Sequence, residues 1–193
     1  MTATKDRSPQ ELEEIFAAGA ARQGRWLRDY LAGPPLQAKQ FDFLIGSWDT
    51  VQVGYDMTGK EAFRGVGTWS AETLYEGRML ADFYETRLPD GRIVSGGRTL
   101  RTFCPETDRW EMTFLTPMQP HVATRFVARE CDGEIHAEAS GVDADGVEFL
   151  ARVRFFDIEP AGFEWEHEQS WDAGRSWYRL MTISARRRPA EAR

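Results

Sequence analysis

Cysteine, positive charge and long apolar runs are scarce in this chain of 193 residues. The two cysteines, Cys104 and Cys131, match no metal-binding spacing and would stay thiols in a reducing compartment. The net charge of -7 argues against nucleic acid as a partner, because backbone binding needs a dense basic surface. Residues 1–7, a predicted flexible N-terminus, lack the apolar core of a signal peptide, and no run approaches membrane-spanning length. We therefore expect a soluble, cytoplasmic protein without a membrane partner.

Histidine is also rare, and the common catalytic motifs are missing. His121, His136 and His167 fall on three different predicted strands without a paired ligand motif, so no metal site is predicted. The chain has no Gly-x-Ser-x-Gly nucleophile elbow and no glycine-rich loop that opens a helix, as a phosphate site would require. We predict neither a metal nor another cofactor.

The first structured segment reads as a helix over residues 8–33. Ser8 is placed as the N-cap, Pro9 occupies the first helical position, and Glu11 completes a capping box. Apolar residues then recur mostly at steps of three and four, and the run from Gly33 to Pro35 predicts the end of the helix.

Residues 41–187 have a different pattern, typical of strands and turns. Gly, Pro and Asp recur every eight to fifteen residues or so, and aromatic and β-branched residues fill the gaps. Nine turns would separate about ten strands. Closing such a meander into an antiparallel up-and-down barrel removes the exposed sheet edges, and a two-sheet sandwich is the alternative. We predict a mainly β fold, one domain overall, with the N-terminal helix preceding the barrel.

Three segments resemble known proteins. The run 41–48, which ends in Gly46-Ser47-Trp48, resembles the start of the first strand in the calycin superfamily. Residues 99–110 and 165–177 are similar to a group of uncharacterised bacterial lipocalin-like proteins. The resemblance implies a calycin-type barrel whose closed end is plugged by Trp48, with Arg186 covering the indole. A guanidinium stacks well on an indole, so such a pair would have a structural role.

The haem-binding nitrobindin branch of these proteins has a longer Gly-x-Trp-x-Gly-x-Gly pattern. Here Trp48 is followed by Asp49-Thr50-Val51-Gln52, so haem is disfavoured.

The segment 163–171 carries the most informative site pattern. Strict alternation places one set of residues on a single face: Phe163, Trp165, His167, Gln169 and Trp171. The opposite face, with Glu164, Glu166, Glu168 and Ser170, should be the one in water. His167 and Gln169 would then point inward among aromatic rings, where they could orient a ligand or bond to each other, a tyrosine or an internal water.

Other predicted strands add apolar candidates for the same interior. Trp69, Met112 and Phe114 should face inward, either as packed core or as the wall of a ligand cavity. The strand that contains Tyr84 has apolar residues on both faces, so an inward Tyr84 rests on one of two possible registers. If it faces inward, its hydroxyl would be a second hydrogen-bonding group, opposite His167.

Three hypotheses for function follow. The first is binding of one small, largely apolar or aromatic molecule in the barrel, by Trp69, Tyr84, Met112, Phe114, Trp165, His167 and Gln169. The second is a small-molecule isomerase, cyclase or lyase in which His167, titrating near neutrality, is the acid or base. The third is a packed barrel with a structural role, which forms a homodimer through outer aromatic residues together with Trp26 and Tyr30.

Overall fold

A computed structural model of the chain describes residues 8–118, 123–143 and 145–189. The chain divides into two compact units between Pro34 and Pro35. The first contains the helix α1, Pro9–Leu31, whose N-cap Ser8 accepts a hydrogen bond from the Glu11 amide while the Glu11 side chain accepts one from the Ser8 amide. The predicted capping box and helix are thus confirmed. The predicted flexible residues 1–7 and His121 lie outside the described residues.

The second unit is a closed antiparallel barrel of ten strands in which sequence neighbours pair and β1 pairs with β10. The strands are β1 Gly46–Tyr55, β2 Glu61–Leu74, β3 Met79–Arg87, β4 Ile93–Cys104, β5 Arg109–Leu115, β6 Thr124–Cys131, β7 Glu134–Val142, β8 Glu148–Glu159, β9 Gly162–Ser170 and β10 Tyr178–Arg187. The predicted up-and-down barrel is confirmed, and the sandwich alternative is wrong.

One end of the barrel is sealed by two short 3₁₀ helices, Leu36–Lys39 and Asp42–Leu44, which precede β1. Trp48 follows them and is fully buried, and its indole N–H donates to the Leu44 carbonyl at 2.8 Å. Phe41 contributes a second buried ring, 5.0 Å from that of Trp110. Gly46, with φ of 115°, lets the chain turn from this cap into β1.

The arginine that covers Trp48 is Arg187 and not Arg186. The Arg187 guanidinium lies 4.0 Å from the indole centroid and donates to the carbonyls of Phe43, Ile45 and Pro160. Successive residues of a strand point to opposite faces, so Arg186 is on the outside, with its guanidinium 3.7 Å from Glu164. The predicted role was thus assigned one residue too early.

The end of β9 also differs from the predicted alternation. The strand stops at Ser170, and Trp171 lies in the following turn. Ser170 is buried, although its position in the alternation predicted that it lies on the solvent-exposed face. Its hydroxyl donates to Asp172 at 2.8 Å and accepts from the Gly174 amide at 2.8 Å, so the turn itself covers it.

Candidate ligand-binding cavity

Beyond the sealed end, the barrel interior contains a cavity of about 410 Å³. Its wall includes all seven residues predicted to bind a ligand: Trp69, Tyr84, Met112, Phe114, Trp165, His167 and Gln169. They come from β2, β3, β5 and β9, and each faces inward because of the alternation along its strand. Thr116 and Met118, which follow β5, belong to the wall at the opposite end from Trp48.

Aromatic rings form a continuous band along one side of the cavity. Trp69 lies 5.5 Å from Tyr84 and 6.3 Å from Trp165, measured between ring centroids. Tyr84 in turn stacks near Phe114 at 6.2 Å, and Trp165 is 6.0 Å from the His167 ring. Such a band presents flat, polarisable surfaces to anything in the cavity, which favours aromatic or alicyclic rings over extended chains.

A buried ion pair lies toward the sealed end of the cavity. Arg101, part of the cavity wall, contacts Asp82, and both side chains are almost completely shielded from solvent. The other Asp82 oxygen accepts a hydrogen bond from the Trp69 indole at 3.1 Å, and the Arg101 guanidinium lies 4.9 Å from the ring centroid of Phe41. Burial lowers the pKa of Arg101 to about 9, so it still carries its charge at pH 7.

His167 faces the cavity as predicted, but its titration differs from the prediction. The surrounding protein lowers the pKa of His167 to about 4, and the neighbouring charge of Glu168 opposes this shift only partly. The side chain keeps some accessible surface because it borders the cavity, whereas its Nε2 is buried without a hydrogen-bond partner among the described residues. At pH 7 the ring is neutral, and the expectation that it titrates near neutrality is wrong.

A group of polar side chains from β1, β3 and β4 lies next to Met181 of β10, and of its members only Tyr84 was predicted from the sequence. The Tyr84 hydroxyl is 3.0 Å from the Ser95 hydroxyl, and Thr86 donates to the side-chain carbonyl of Gln52 at 2.7 Å. The Gln52 amide nitrogen contacts the Met181 sulfur, which links the two pairs. Desolvation raises the pKa of Tyr84, so its hydroxyl stays protonated at neutral pH.

Alternation could have identified several of these residues. Asp82 lies two residues before Tyr84, and Gln52 lies four residues after Trp48, so each shares the inward face of its neighbour. A charged residue at an inward position is the signal for a buried ion pair. The partner of Asp82 could not be read in this way, because Arg101 belongs to another strand and meets it diagonally across the β3–β4 register.

Other residues singled out in the sequence lie away from the cavity wall. His136 is exposed on β7, with Nε2 3.0 Å from a Glu134 oxygen, as expected for a solvated, salt-bridged face. Cys104 and Cys131 are free thiols. Within the described ranges, no three His, Cys, Asp or Glu side chains are grouped to hold a metal ion. No helix in the described part of the chain is long and apolar enough to cross a membrane.

Fold and cavity together define a mainly β protein with a closed, ten-stranded antiparallel barrel and an interior cavity. The solved structure of Rv2717c from M. tuberculosis is similar, with a TM-score of 0.61 and 14% identity over 81% of this chain and 99% of that one. The S-type phycobiliprotein lyase CPES from Guillardia theta has a TM-score of 0.53 and 9% identity, over 82% of this chain and all of the lyase. No protein-family model matches the sequence, and no curated protein sequence matches it. These likenesses show the closed antiparallel fold.

Proposed function

We propose that the barrel binds one small, largely apolar and aromatic molecule. The observation that carries this proposal is the cavity of about 410 Å³ left inside a barrel whose other end is fully packed. Its volume falls within the range of cavities that enclose small ligands. Trp69, Tyr84, Phe114 and Trp165 offer ring faces, and Gln169 and His167 offer polar groups that can set the orientation of the ligand.

The Nε2 atom of His167 has no hydrogen-bond partner among the described residues, which supports a ligand that carries a polar atom. A buried polar atom without a partner costs free energy, which a ligand donor or acceptor can recover. The atom is covered by protein, so a bound molecule would reach it only after a change in the rotamer of the ring. Neutral imidazole can both donate and accept a hydrogen bond, which suits orientation of a ligand.

The two other hypotheses have less support. A structural barrel packed throughout its interior is at odds with the cavity. Acid or base catalysis by His167 would need a pKa near the working pH, whereas burial lowers that pKa to about 4. A homodimer and a cytoplasmic location stay predictions of the sequence.

A larger side chain in the cavity should prevent the ligand from binding. Val153 lines the cavity and is almost fully buried, so Val153→Phe would place a ring in the space that the ligand needs. We expect native mass spectrometry of protein purified from its own organism to show a discrete small-molecule adduct on the wild type and none on this variant. Val66→Phe is the matched control, because Val66 is 63% exposed on the outer face of the barrel.

Circular dichroism would establish that both variants are folded. A wild-type protein of bare mass under gentle conditions would contradict the proposal, and so would an adduct that the Val153→Phe variant retains.

A further inference from the structure

The charges around the cavity balance one another. Of the described residues that line it, three are ionisable: Tyr84, Arg101 and His167. Tyr84 and His167 are neutral at pH 7 because burial disfavours their charged forms. Arg101 is charged, but the carboxylate of Asp82 contacts its guanidinium directly. The wall therefore presents no net charge to a molecule inside the barrel.

Two neighbouring side chains hold the Asp82 carboxylate in a fixed position. It lies on β3 with its side chain directed into the barrel, and the Trp69 indole N–H donates to one of its oxygens while Arg101 contacts the other. Trp69 is itself only 3% exposed and belongs to the aromatic band. The carboxylate is thus part of the packed interior and cannot turn toward solvent.

Without Asp82, the cavity would contain one uncompensated positive charge in a desolvated setting. Such a charge attracts an anion strongly, because little water is present to screen it. With Asp82 present, an anionic ligand would bring a negative charge that has no free counter-charge in the wall. An uncharged ligand brings no charge into the cavity and does not incur this cost.

We infer that Asp82, by neutralising Arg101, makes the cavity select uncharged ring compounds over carboxylates, sulfonates and other anions of the same shape. This inference rests on the proposed binding function and assigns the class of its ligand. Asp82 acts through Arg101, so it is a specificity-determining residue that need not touch the ligand.

Two fluorescent probes with the same ring framework test this selectivity. N-phenyl-1-naphthylamine is uncharged, and 1-anilinonaphthalene-8-sulfonate adds one sulfonate to the same rings. We expect the wild-type protein to bind the uncharged probe with increased fluorescence and the sulfonate at least about tenfold more weakly, because the sulfonate must be desolvated without a counter-charge. Val153→Phe should weaken both, which places the binding in the cavity.

Asp82→Asn should reverse the preference. Asn keeps an oxygen that can accept from the Trp69 indole and removes the negative charge, so Arg101 becomes a free cation beside the cavity. We expect the sulfonate to gain about tenfold or more in affinity while the uncharged probe changes little. The double variant Asp82→Asn/Arg101→Gln has no charge at this position and should lose that gain.

The outcomes separate the two proposals. If neither probe binds the wild-type protein, the proposed binding function fails. If both bind in the cavity with equal affinity, or the sulfonate binds more tightly, the selectivity inference fails while the binding function stands. A folded Asp82→Asn variant that keeps the wild-type ratio would contradict the role assigned to Asp82. Because loss of one partner of a buried ion pair can unfold a protein, the ratio measured on the wild type still tests whether the cavity selects uncharged compounds if this variant does not fold.

Discussion

At the scale of single residues, His167 shows how burial changes what a side chain can do. The same imidazole that titrates near pH 6.5 in an unfolded chain has a pKa of about 4 here, because the protein around it disfavours its charged form. A residue that the sequence marks as a candidate acid or base thus becomes, in the folded barrel, a neutral hydrogen-bonding group. The free energy of unfolding should therefore depend on pH through His167.

We expect the free energy of unfolding to decrease as the pH falls from 6.5 to about 4. Over that interval the unfolded chain binds a proton at His167 that the folded chain does not, so acid favours unfolding, by up to about 3 kcal/mol from this residue. Urea unfolding at several pH values should show that His167→Gln reduces this loss. His136→Gln, at an exposed histidine, is the control and should keep the wild-type profile; identical profiles for all three proteins would contradict the assignment.

At the scale of elements, the hairpin between β9 and β10 shows how a turn can bury a polar strand end. Asp172 accepts from the Ser176 amide at 2.9 Å, and this bond together with the Ser170 hydroxyl lowers the pKa of Asp172 to about 2. Ala173, between Asp172 and Ser176, has φ of 59°, in the left-handed region that favours glycine. The turn therefore stores some backbone strain at Ala173.

Replacing that alanine with glycine should stabilise the protein. Ala173→Gly relieves the left-handed strain, which outweighs the added freedom of the unfolded chain, and we expect a gain of up to about 1 kcal/mol in the free energy of unfolding. Ala161→Gly is the matched control in the β8–β9 turn, where φ is negative. It should lose about 0.5–1 kcal/mol, because only the unfolded chain benefits there. Urea unfolding that gives both variants the same sign of change would refute this account.

At the scale of the whole molecule, closure of the barrel joins residues far apart in the sequence. β1 pairs with β10 so that Trp48 is opposite Arg187, and the guanidinium then bonds to the segment that seals the end. The Trp48 ring, the Arg187 guanidinium and the carbonyls of Phe43 and Ile45 thus connect the first strand, the last strand and the cap. The sealed end closes one side of the remaining interior space.

This closure gives a test at the same scale. Arg187→Lys keeps the charge but loses the planar group that stacks on Trp48 and reaches three carbonyls, so we expect a loss of about 1–2 kcal/mol in the free energy of unfolding. Arg186→Lys is the control, since the Arg186 guanidinium has a long ion pair with Glu164 and one hydrogen bond to the Ala185 carbonyl, and it should change stability by less than about 0.5 kcal/mol. Thermal unfolding of both variants measures the difference; equal effects would assign the role to charge alone.

The helix, the ten strands and the inward face of most strands could be predicted because each depends on local pattern. Capping at Ser8 needs only residues within one turn, and the alternation that turns His167 and Trp165 inward needs only β9 itself. The arginine over Trp48 was placed one position early, because the resemblance indicated a region of the last strand and only pairing with β1 sets which residue faces inward.

The class of fold could be predicted from the sequence alone, since the periods of helix and strand and the chemistry of turns act between neighbouring residues. Three features became apparent only in the folded barrel: the contact of Asp82 with Arg101, the low pKa of His167 and the size of the cavity. These depend on side chains from different strands meeting in a closed interior, where distance and exclusion of water set the energies. The spacing of residues along the sequence does not by itself predict such contacts between strands.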